Sequence, residues 1–278
     1  MKLKQLGKDF AKGTVIGGSM LLPGVSGGTC AIIIGIYDRL IKAVSTLFKS
    51  FRENTVFLLS VALGGRVGVL GFSWVLSAAM ERWGFYLSFL FMGAVLGTVP
   101  IIYRQASQKS QTAGFKLSDV LYTVIGVALS LGITLIPENL LNIEQISGAA
   151  DIMLLFAAGA GIAVALVLPG ISVSYTLLIL GIYDRVLVAV KTFDFAYILP
   201  ISAGCIFGIF AVTKLLDYLM NRYTRAVYMI IGGFVLSSVP QIFPGLPVGF
   251  GIAIGLLLFI AGFFCIFMLS RRAEVSAD

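Results

Sequence analysis

No histidine occurs anywhere in this chain of 278 residues. General-base and nucleophilic catalysis near neutral pH is most often built on histidine, so an enzyme of the usual hydrolytic design is disfavoured from the outset. Gly24-Val25-Ser26-Gly27 has the Gly-x-Ser-Gly form of an intramembrane serine protease, but no base accompanies it. The lysines that could serve a Ser–Lys dyad cluster at the edges of the apolar stretches. Cysteine is scarce as well. Cys30, Cys205 and Cys265 each sit in apolar sequence, which suggests neither a disulfide framework nor a metal centre, and no cofactor is called for. Charge is the third scarcity: 12% of residues are charged against 59% hydrophobic, with a mean hydropathy of +1.02. That balance excludes an ordinary soluble domain and indicates an integral membrane protein. The net charge of +7 would suggest a nucleic-acid partner in a soluble protein; here it is read as topology, with the bilayer as partner.

What the chain does contain is one unusual segment written twice. Leu22-Pro23-Gly24-Val25-Ser26 leads to Gly35-Ile36-Tyr37-Asp38-Arg39, and Leu168-Pro169-Gly170-Ile171-Ser172 leads to Gly181-Ile182-Tyr183-Asp184-Arg185. From Leu22 to Val44, 12 of 23 aligned positions are identical. At an offset of 140, Gly64, Gly68, Arg82, Gly93 and Pro100 also match Gly204, Gly208, Arg222, Gly233 and Pro240. A helix breaker duplicated in corresponding apolar positions of two halves points to a transporter's midplane binding site.

Outside the repeated segment, apolar runs at 56–80, 85–103, 118–136, 196–219, 226–243 and 248–269 are long enough to span a core of about 30 Å. The runs flanking the first Pro-Gly are short, about ten residues or 15 Å each. The expected fold is therefore an all-α integral membrane protein with an inverted-topology repeat: two re-entrant helical hairpins plus six transmembrane helices. Residues 1–136 form the first repeat (hairpin 13–48) and 151–278 the second (hairpin 152–190). Residues 137–150 form an external connector expected to hold a short interfacial helix. Sixteen of the 20 basic residues fall on one side of this arrangement, which the positive-inside rule makes cytoplasmic. Both termini then lie inside. Each half makes an odd number of crossings, so the two copies face opposite ways.

A helix restarting inside the membrane offers free N–H groups, a positive dipole end and hydroxyls, which suit a phosphate or carboxylate. The candidate residues are Ser26, Gly27, Gly28 and Thr29 at one start, with Ser172 and Ser174 at the other. The same residues could simply cap kinked helices. Arg66 lies near the centre of 56–80, with no Asp or Glu at similar depth in the six spans; an anionic ligand or the carbonyls of a broken hairpin could satisfy it. Arg39 and Arg185 follow the hairpins, either as local partners of Asp38 and Asp184 or as anion contacts at the two mouths.

These residues bring a family to mind. Pro23-Gly24-Val25-Ser26-Gly27-Gly28-Thr29 with Gly35-Ile36-Tyr37-Asp38-Arg39-Leu40-Ile41, together with Leu168-Pro169-Gly170-Ile171-Ser172, resembles a bacterial membrane family associated with polyprenyl-phosphate translocation, over essentially the whole chain. The resemblance implies the return of undecaprenyl phosphate across the cytoplasmic membrane for reuse in cell-envelope synthesis. Val173 departs from the pattern, since glycine is expected after the second serine. The residues taken alone leave a secondary transporter of a small soluble anion as the alternative. An apolar lateral portal would favour the lipid, and a water-filled vertical path the soluble anion.

Overall fold

The computed structural model describes residues 3–20, 26–111, 114–137, 140, 141, 143, 146 and 148–275. All regular structure among them is helical. Helix α1 (Leu3–Ser19) is followed by two short helices, α2 (Gly27–Ile33) and α3 (Tyr37–Ser45). Helix α4 (Phe51–Lys109) would be about 88 Å long if straight, nearly three times a hydrocarbon core. It is not one rod. Trp83 leaves helical geometry (φ −132°, ψ 18°) and divides it into arms 51–82 and 84–109. Helix α5 (Leu117–Thr134) closes the first half.

The second half repeats the order with α6 (Ala149–Val167), α7 (Val173–Ile179), α8 (Tyr183–Thr192), α9 (Phe195–Arg222), α10 (Thr224–Ser237), α11 (Val239–Ile242) and α12 (Gly251–Val275). Tyr223, 140 positions after Trp83, breaks α9 from α10 with φ −128° and ψ 44°. Among the described residues five helices are long and apolar enough to cross a membrane, and the bent pair α7–α8, which turns through 110°, would make a sixth. Their outward faces carry exposed Trp74, Leu199 and Leu257, a surface that only hydrocarbon solvates without penalty. The chain is a multi-pass membrane protein.

Glycine lets the helix backbones touch. A Cβ on Gly64 would lie 2.1 Å from the Phe10 carbonyl oxygen, and one on Gly204 1.9 Å from that of Phe156, so α1 meets α4 as α6 meets α9. The other contact is exchanged between halves. Gly93 abuts the Phe259 carbonyl of α12, and Gly233 abuts the Thr123 carbonyl of α5, at 1.9 and 2.2 Å by the same measure. Each half therefore ends on a helix that packs against the other half.

Helix α1 extends from Leu3, ten residues ahead of the apolar run that starts at 13, through a charged stretch in which Asp9 is buried against Arg39. One expectation needs correction. The interfacial helix expected within 137–150 is absent from its described residues before Ala149, and 138, 139, 142, 144, 145 and 147 lie outside the description. Instead the Leu140 and Leu141 N–H groups donate to the Ile179 and Leu180 carbonyls, at 2.9 and 3.2 Å. The connector thus satisfies carbonyls at the end of α7 that a helix terminus leaves open.

Candidate substrate-binding site

Ser26 is the N-cap of α2. Its Oγ accepts the Thr29 N–H at 3.2 Å and pairs with Thr29 Oγ1 at 3.0 Å. It also accepts the N–H of Gly170, 144 residues away, at 3.2 Å. Those three bonds fill a hydroxyl's capacity of one donor and two acceptors. The two breaks therefore meet, and Ser26 is the joint. Gly28 packs tightly beside it: a Cβ there would lie 3.2 Å from Pro169 Cβ, so a larger residue would need Pro169 to give way. Gly170 has φ +86°, and a Cβ would lie 2.4 Å from the Phe234 carbonyl oxygen. Pro23 and Gly24 lie outside the described residues. Tyr37 adds a second tie across the halves, donating its buried hydroxyl to the Val167 carbonyl at 3.0 Å.

The starts of α2 and α7 differ in access. Gly27 and Gly28 are half-buried and Thr29 is buried, whereas Ser172 and Ser174 are exposed. Ser172 caps its helix through a longer bond, 3.4 Å from the Tyr175 N–H. The second start therefore has hydroxyl capacity in reserve.

Beside the first start lies a half-open groove of about 680 Å³. Its walls come from α1, α2, both arms of α4 and α12, with Val15, Ile33, Phe72, Leu76, Val95 and Ile266 among them. Helix α2 folds back along α1 here, which places Cys30 Sγ 4.0 Å from the Val15 carbonyl. The groove reaches Ser19 and also Thr29 beside the joint, and among the described residues Lys12 is the one charged residue on its wall.

Arg39 and Arg185 are anchored alike. Arg39 lies 3.8 Å over the Phe57 ring and pairs with Asp9 at 2.8 Å. Arg185 lies 4.5 Å over the ring of Tyr197, the position matching Phe57 at the offset of 140, and pairs with Asp194. The Arg185 hydrogen bond, helped by the Tyr197 N–H, holds the Asp194 carboxyl below the usual range. Neither arginine uses the aspartate beside it in sequence. Asp38 joins Lys109 and Tyr228 instead, with Lys109 Nζ 2.7 Å from the Tyr228 hydroxyl. These three border a polar pocket of about 410 Å³ with Asp217 and Asn221. Pairs 71 and 190 residues apart leave no local signal in a sequence.

Arg66 is exposed at the middle of the 51–82 arm, while Gly64 and Gly68 of the same turns face α1. Among the described residues it makes no hydrogen bond or ion pair, and it does not line the groove. The structure brings together Ser26, Gly28 and Thr29 with Gly170, and leaves Arg66 apart from them.

Known sequences match this arrangement along most of its length. The profile of a family described as undecaprenyl phosphate translocase-like matches residues 16–248. A polyprenyl-phosphate transporter of Vibrio cholerae is 32% identical over 255 residues, covering 84% of this chain and 77% of the relative. A polyprenyl-phosphate transporter of Staphylococcus aureus is 28% identical over 273 residues, covering 95% of each. No solved structure matches. A match spanning both breaks, the joint between them and all but the ends of the helical frame makes this chain a member of the undecaprenyl phosphate translocase-like family.

Proposed function

We propose that this protein translocates a polyprenyl monophosphate, the undecaprenyl carrier of cell-envelope synthesis, across the bacterial cytoplasmic membrane, and that it is a transporter without catalytic activity. The relatives named polyprenyl-phosphate transporters support this reading. The carrying observation is the apolar groove that reaches Thr29, whose hydroxyl pairs with Ser26 at the joint of the two breaks. A polyprenyl tail is apolar throughout and its headgroup is not. A greasy wall leading to a polar helix start fits that division, whereas a soluble anion would need a polar path.

In this reading residues 1–136 and 151–278 are inverted repeats joined by an external connector at 137–150, with both termini cytoplasmic. Helices α2 and α7, of 7 residues each, rise only about 10 Å and act as the returning limbs of re-entrant hairpins. Matched breaks at Trp83 and Tyr223 and the exchanged glycine contacts support the repeat. Buried, irregular backbone at membrane depth is tolerated where it lines a polar cavity. The headgroup is met by Ser172 and Ser174 at the open start and by the Gly27 and Gly28 backbone at the closed one, where Thr29 keeps its N–H on Ser26. Arg39 and Arg185 stand at the two mouths.

Headgroup translocation in proteoliposomes tests the function, with polyprenyl phosphate and inorganic phosphate as separate substrates. Polyprenyl phosphate should move and inorganic phosphate should not; transport of inorganic phosphate alone would establish the soluble-anion reading. The same assay reads Arg66. As a headgroup contact, Arg66→Ala should abolish transport with the fold intact, and Arg66→Lys should restore part, because an ammonium keeps the charge but loses the bidentate fork. Loss of folded protein with normal transport by the remainder would make Arg66 structural.

A further inference from the structure

Asp9 has an unusual environment for a carboxylate. Its side chain is 1% exposed. One oxygen accepts from Arg39 at 2.8 Å and from Gln5 at 3.1 Å, while the other is buried with no partner among the described residues. An ionised carboxylate in such a place depends on its cation, because a buried charge without a counterion costs several kcal/mol or takes a proton. Its cation is not committed. Arg39 is 40% exposed at its side chain and rests on the Phe57 ring, which holds the guanidinium plane in place whichever anion it faces. The groups facing this cluster are Lys8 and Lys12 from α1, Arg39 from α3 and the uncharged Phe57 from α4. Lys12 also stands on the wall of the apolar groove.

We propose that Lys12 and Arg39 form a second phosphate-monoester station at the groove's α1 end, and that Asp9 takes up a proton when the phosphate displaces it from Arg39. The idea rests on the lipid-phosphate reading above. The exchange balances: the Arg39–Asp9 hydrogen bond is replaced by Arg39–phosphate and Lys12–phosphate bonds, and one proton from water joins the free carboxylate oxygen. The prenyl chain lies along the groove while its headgroup sits at Lys12. Each headgroup then arrives with a proton, and when it leaves Asp9 releases that proton and recovers Arg39. The hairpin joint and this station mark two positions of one headgroup along one groove.

The test is calorimetric binding of a short-chain prenyl monophosphate to the purified full chain at pH 7, in two buffers of different ionisation enthalpy. A phosphate monoester has a second pKa of about 6 and is mostly dianionic there, so any remaining uptake by the ligand is common to all variants. Wild type should take up more protons per ligand than Asp9→Asn, because only the wild type has a carboxylate left without Arg39 when the phosphate binds. Lys12→Gln should weaken binding at least tenfold. Inorganic phosphate, lacking a chain for the groove, should bind at least tenfold more weakly than the prenyl phosphate; equal affinity would assign the station to free phosphate. Should Asp9→Asn not fold, the wild type alone decides: binding should raise a protonated-carboxyl stretch in the infrared difference spectrum. Equal proton counts, or no such band, overturn the proposal while leaving the function standing. A wild type that binds no prenyl phosphate overturns the function as well.

Discussion

The two breaks share a sequence and differ in what surrounds them. At the first, Thr29, Cys30, Ala31 and Ile32 of α2 are buried, Ser26 is saturated, and Arg39 holds a buried carboxylate. At the second, α7 buries only Ile179, Ser172 and Ser174 are exposed, and Arg185 holds the half-exposed Asp194. Duplication supplied two equal frames, and the side chains added around them closed one and left the other open. A closed start can bear strain and fix geometry. An open start can receive a ligand.

If the contrast is energetic, matched substitutions should hurt the first copy more. The widest gap is expected at the arginines. Arg39→Gln strands Asp9 and should lower stability by about 3–5 kcal/mol, the range for one partner removed from a buried pair, whereas Arg185→Gln leaves an aspartate in contact with solvent and should barely move the melting temperature. Thermal unfolding of both variants in detergent measures this, and equal losses would break the comparison. The serines come next. Ser26→Ala removes a cap worth about 1 kcal/mol and strands the Gly170 N–H at about 1–3 kcal/mol. Ser172→Ala removes only a long, exposed cap and should cost about 0.5 kcal/mol. In transport the order should reverse for substrate affinity, with Ser172→Ala raising the half-saturating lipid concentration more than its small stability cost implies. Among the first-copy substitutions the smallest effect is expected for Tyr37→Phe, which removes the bond to the Val167 carbonyl at about 1 kcal/mol. Hydrogen exchange at the end of α6 should quicken in that variant, and unchanged exchange would show the tie to be idle.

Much of this frame could be read before any coordinates. The breaks at Trp83 and Tyr223 fall in the gaps between expected spans 56–80 and 85–103, and between 196–219 and 226–243. The glycines matched at an offset of 140 became the close helix crossings. Periodicity and repetition are local properties, so they survive in a linear text. The start of α1 was missed because a hydropathy window discards charged turns, although Lys8 and Lys12 already stood four apart on one helical face. The Asp38–Lys109–Tyr228 cluster and the Asp9–Arg39 pair were illegible for another reason. Each depends on which helices become neighbours, and adjacent aspartates such as Asp38 offered Arg39 an equally plausible partner. The repeat marks both breaks in the sequence, but that Ser26 joins them as a saturated acceptor depends on the Gly170 N–H pointing at it.

That joint carries a consequence for how the protein is made. Ser26 leaves the ribosome 144 residues before Gly170. At about 5–20 residues per second, the wait is roughly 7–30 s. Throughout it, Ser26 at the start of α2 lacks the amide that completes its bonding, and the groove wall lacks α12. The nascent first half therefore carries an uncovered polar helix start needing shelter, whether from the insertion machinery or from lipid headgroups. Maturation ends only when Gly170 arrives to supply its amide, so a chain interrupted between the halves should be degraded rather than stored.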